Sequence, residues 1–104
     1  MKPTKEIIQV RITRRIIEDL ANEYIADPYY HRGLISGKWV ERVTDELNLK
    51  NLSDLELSDM WHIVYLTLDH CYRRCNVNVA MNYLDAQSAF TEVVNAEARR
   101  RRGL

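Results

Sequence analysis

Three glycines and two prolines leave this chain few places to turn sharply. Turn-rich all-β folds draw heavily on both residues, and so do flexible linkers. Long helices joined by short connections suit the scarcity. With 104 residues the chain makes one domain, 1–104, whose basic C-terminal end is 99–104. A 46% hydrophobic content fills one core, and 29% charged residues coat it.

Ser53 marks the clearest helix start. Ser53 and Glu56 have the spacing of a capping box, in which hydroxyl and carboxylate satisfy orphan N–H groups reciprocally. Leu52 and Leu57 stand at the positions of a hydrophobic staple. Asp54, Glu56 and Asp59 put negative charge at the positive end of the helix dipole. Leu57, Met60, Trp61, Val64, Leu68, Cys71 and Cys75 then step by three and four, which predicts a buried stripe on a helix over 54–75. Asn76-Val77-Asn78 supplies a turn. A second long helix is predicted over 79–101, with Val79, Tyr83, Ala86, Phe90, Val93 and Glu97 on its stripe and Gly103 behind it. So short a connection makes the pair an antiparallel hairpin.

The front half is less regular. Residues 13–26 read as helix, ended by Asp27-Pro28, because proline disfavours helical geometry in the residue before it. Ser36 is placed to cap a short helix over 37–47 that buries Trp39, Val40, Val43 and Leu47. Residues 5–12 read two ways. Pro3-Thr4-Lys5-Glu6 opens a helix well, with Thr4 as N-cap, whereas Ile8, Val10 and Ile12 alternate as in a strand. Read as a strand, Ile8-Gln9-Val10-Arg11-Ile12-Thr13 with a helix behind it resembles a ribbon-helix-helix DNA binder. The long loop at 27–36 and the two large helices that follow depart from that family. The fold expected is all-α: four helices with a long antiparallel C-terminal hairpin. The alternative is a short N-terminal β-strand paired across a dimer and followed by helices.

The net charge of zero hides a dipole. Residues 1–52 sum to +1, residues 53–98 to −5, and Arg99, Arg100, Arg101 and Arg102 add +4. The arginine run is the most conspicuous candidate site, since arginine binds phosphate bidentately. It also complements a helix dipole without any ligand. Tyr29, Tyr30, His31 and Arg32 join rings and cations on a loop, suited to stacking on bases or to a protein hot spot. Gln9 and Arg11 face outward on the strand reading and complete the candidate set.

Catalytic and metal-binding signals are weak. There is no glycine-rich phosphate loop and no G-x-S-x-G. Cys71 and Cys75 share a helix face, but a zinc site needs a second ligand pair, and His62 and His70 do not complete one locally. The two thiols are expected to be reduced core residues, without metal. No enzyme, metal or cofactor is expected. Two cysteines and the absence of a long apolar run imply a cytoplasmic protein with no membrane span and no signal-peptide core.

The expected function is that of a small non-enzymatic regulatory or adaptor protein that binds a protein partner and forms a homodimer. The alternative is direct DNA or RNA binding through the N-terminal basic residues and the arginine run.

Overall fold

The computed structural model describes residues 5–27 and 35–103. The fold is all-α, and the described residues contain four α-helices and no strand. These are α1 (Lys5–Ala26), α2 (Gly37–Glu46), α3 (Asp54–Arg74) and α4 (Ala80–Arg101), with 3₁₀ turns at Leu49–Asn51 and Val77–Val79.

The strand alternative for residues 6–12 does not hold, and with it goes the likeness to a ribbon-helix-helix opening. Helix α1 runs through that segment without a break. Extending an existing helix adds a hydrogen bond for each residue fixed, whereas a lone strand finds no ladder partner. Thr13 closes the junction by donating its hydroxyl to the Gln9 carbonyl at 2.9 Å. Helix α1 ends at Ala26, just ahead of Asp27-Pro28.

The start of α3 follows its sequence closely. The Glu56 amide donates to Ser53 Oγ at 3.1 Å, and the Ser53 amide donates to Glu56 Oε1 at 2.9 Å. The bond from the Ser53 amide, reinforced by the side-chain one, holds the Glu56 carboxyl below its ordinary value. Ser53→Ala is expected to cost about 1 kcal/mol, read as a lower urea midpoint at unchanged slope. Ser36 occupies the N-cap position of α2, yet its hydroxyl makes no capping bond. Its carbonyl instead accepts from the Val40 amide at 3.0 Å. Asn48, at φ 55°, turns the chain between α2 and the first 3₁₀ segment. Asparagine tolerates this left-handed geometry. Gly103, at φ 74°, follows α4 in the same way.

The core centres on three rings. Trp39 meets Phe90 edge-on at 5.1 Å between centroids, and Tyr24 at the same distance. The Trp39 indole N–H donates to the Leu20 carbonyl at 2.8 Å. One tryptophan thereby joins α1, α2 and α4. Ile17, Leu20, Val43, Leu49, Val64 and Leu68 are buried around it. Arg42 grips Glu23 with two bonds of 2.7 and 2.8 Å and fixes α2 against α1 from outside. The body measures 43 × 37 × 17 Å. That thinnest dimension is less than two helix diameters, so large apolar side chains remain on the broad faces.

Several stripe expectations need correction: Val79 is exposed in the 3₁₀ turn ahead of α4, and Met60 and Tyr83 are half-buried. Trp61 is 36% exposed rather than buried, and Cys71 and Cys75 are half-buried rather than core. Helical periodicity fixes the direction of a side chain but not the depth of cover over it. Cys71 lies in the last turn of α3, and Cys75 is its C-cap.

Candidate functional site

The arginine run divides into two pairs. Glu97 points inward from α4, and its side chain is only 6% exposed. Arg100 donates to both of its oxygens, at 2.6 and 2.9 Å, and Arg101 Nε donates to Oε1 at 3.2 Å. Arg101 also reaches back to Asp54 Oδ1 at 3.1 Å and to the Leu49 carbonyl at 2.7 Å. Hydrogen bonding from Arg100 dominates, with Arg101 adding to it, and together they outweigh burial to hold the Glu97 carboxyl down at about 2. Arg101 is therefore a clasp between the end of α4 and the start of α3. Arg99 and Arg102 are exposed and make no ion pair among the described residues. Sequence reading placed Glu97 on the apolar stripe and missed the clasp. The signal was present, because Arg100 and Arg101 stand three and four residues beyond Glu97.

Beside the clasp lies a groove of about 580 Å³ between α3 and α4. Leu57, Trp61, Val94 and Ala98 supply its apolar lining, and its charged lining is the Asp54–Arg101 pair together with Arg102. Trp61 stacks on Tyr65 at 5.7 Å with 25° between the ring planes. Hydrogen bonds to α4 lie behind this pair. The Trp61 indole N–H donates to Thr91 Oγ1 at 3.1 Å, and the Thr91 hydroxyl donates to the Gln87 carbonyl at 2.9 Å. The Gln87 amide then donates to the Tyr65 carbonyl at 3.3 Å. The Trp61 ring is thus anchored from behind by the neighbouring helix, and the Tyr65 ring is placed by stacking on it. Neither aromatic was singled out as a site residue: Trp61 was assigned to the apolar stripe, and Tyr65 falls off it.

Gln9 and Arg11 are exposed on α1, remote in sequence from this groove. Tyr29, Tyr30, His31 and Arg32 lie outside the described residues. Among the described residues no three His, Cys, Asp or Glu side chains are grouped so as to hold a metal ion. Burial, then the Glu18 carboxylate, push the Cys71 thiol up, which disfavours the reactive thiolate. No described helix is long and apolar enough to cross a membrane. No protein-family model, curated protein or solved structure matches the chain.

Proposed function

We propose that this chain is a small regulatory or adaptor protein, without chemistry of its own, that binds a protein partner through the groove beside Trp61. One observation carries the reading: Trp61 is exposed at the groove while its indole N–H is anchored on α4 through Thr91 and its ring stacks on Tyr65. Immobilising side chains at an interface costs free energy, and a large ring with few rotamers that is already anchored keeps that cost small. Tryptophan, tyrosine and arginine are also the residues that dominate binding hot spots. The matching partner segment lays an apolar side chain on Trp61 and brings a carboxylate to Arg102, which lines the groove.

The direct nucleic-acid reading is weaker. Arg100 and Arg101 are committed to Glu97, which leaves Arg99 and Arg102 to meet phosphate beside a stretch of net charge −5. The test is a pull-down from the native host with the parent chain and Trp61→Ala, each with and without nuclease. A nuclease-resistant protein partner is expected, bound about tenfold or more weakly by the variant, with helical circular dichroism unchanged. Capture that nuclease abolishes, or that ignores Trp61, overturns the proposal.

A further inference from the structure

The outer side of α3 carries a separate inference. Leu55, Asp59, His62, Leu66, His70 and Arg73 are all exposed. At 3.6 residues per turn their side chains fall within about 40° of Leu66, so they form one strip along the helix. Buried Leu57, Val64 and Leu68 lie on the opposite side, in the core. The strip is apolar at two points: Leu55 is 80% exposed and Leu66 49%. Covering them removes apolar surface from water, which favours association.

The charges of α3 are sorted by end. Asp54, Glu56 and Asp59 stand in its first two turns, and Arg73 and Arg74 in its last. Asp59 makes no ion pair among the described residues. Arg73 holds Asp69 at 3.0 Å, yet its side chain is 75% exposed. Asp59 and Arg73 each stand seven residues from Leu66, in opposite directions, a rise of about 10 Å along the axis. A second α3 laid antiparallel, with the two-fold axis at Leu66, therefore sets Asp59 of each copy opposite Arg73 of the other. In that register Leu66 meets its own counterpart, and His62 of one copy stands beside Asp69 of the other. Leu55 comes to about the level of the turn that carries Val77, which is 83% exposed. All these groups share one side of one helix, as an isologous interface requires. A parallel pairing instead sets acid on acid and base on base.

We propose that two copies of this chain associate through α3, antiparallel about a two-fold axis at Leu66, with Asp59 of each copy paired to Arg73 of the other. Trp61 points about 140° away from Leu66 around the helix, so the interface leaves the Trp61 groove open. Light scattering and sedimentation of the full chain test it. The parent is expected to give the dimer mass at micromolar concentration, with the dissociation constant rising as salt screens the charges. Leu66→Asp sets two carboxylates together on the axis and is expected to give a folded monomer. Arg73→Glu is expected to weaken the dimer about tenfold, and adding Asp59→Lys to restore much of that loss, since the swap re-creates opposite charges. Cysteine crosslinking reads the register, in a chain carrying Cys71→Ala and Cys75→Ala. There Leu66→Cys is expected to form an intermolecular disulfide with glutathione disulfide as oxidant, because the two residues 66 adjoin across the axis. Leu55→Cys, about 33 Å from its counterpart, is expected to form none. A monomeric parent, a dimer indifferent to Leu66→Asp, absence of rescue by the charge swap, or a Leu66→Cys chain that crosslinks no better than Leu55→Cys each overturns the proposal.

Discussion

Phe90→Ala is expected to lower the stability of this fold by about 3–5 kcal/mol. Phe90 is fully buried and meets the edge of Trp39 at its centre. Truncation removes the transfer free energy of the ring and leaves a void between α2 and α4. The backbone around it has little freedom to collapse, since the Leu20 carbonyl and the Tyr24 ring pin Trp39 on its other side. Domains of this size retain only about 5–15 kcal/mol in all, so the variant is expected to be barely folded. Thermal unfolding followed by circular dichroism checks this, with a drop of about 12 °C or more expected at roughly 4–8 °C per kcal/mol. A loss below about 1 kcal/mol would place the centre of the core elsewhere.

Replacing Glu97 with Ala is expected to cost about 2 kcal/mol, a large effect for a position on the last turns of a helix. The substitution strands Arg101, whose side chain is only 19% exposed, with Asp54 as its remaining ion-pair partner. Arg100 is 59% exposed and Asp54 92% exposed, so water reaches the cluster and the cost stays below that of a deep-core pair. Glu97 also gives a pH signature. Its carboxyl titrates near 2 in the folded chain against an ordinary value of 4.5. The folded state thus binds fewer protons, and stability rises with pH. The stabilisation is fully present above about pH 5 and is lost as pH falls through 2. Urea melts at neutral pH and near pH 3 are expected to show a smaller acid loss for Glu97→Ala than for the parent. Equal losses would mean that the clasp carries no linked proton.

What could be read in advance was whatever local chemistry determines. The Ser53–Glu56 box, the break before Pro28, the asparagine turn at Asn76 and the glycine after α4 each depend on neighbours within a few residues, and each stands where the sequence put it. Depth was not legible. Trp61 and Val64 lie on nearly the same side of α3, yet Val64 is 1% exposed and Trp61 forms the rim of a groove. Only the path of α4 decides which of them is covered. The arginine run was legible as charge but not as geometry, since its division into clasp and free cations depends on Asp54 and Leu49, about fifty residues upstream. The first half of α1 was ambiguous for a physical reason. β-branched residues at 7, 8, 10 and 12 fit either backbone, and the helix adjoining them settled the choice.

The long reach of Arg101 bears on how the chain assembles as it is made. Residue 101 leaves the ribosome some fifty residues after the Leu49 carbonyl and the Asp54 carboxylate it will join, a delay of about 2–10 s at ordinary translation rates. Through that interval the first turn of α3 is held by Ser53 and Glu56 alone. Its stripe of Leu57, Val64 and Leu68 has α1 to pack on but lacks α4, its most extensive neighbour, until that helix emerges. Nascent chains stalled between the two long helices are therefore sticky, capped helices without a lid, the form in which chaperones capture a client and neighbouring copies aggregate.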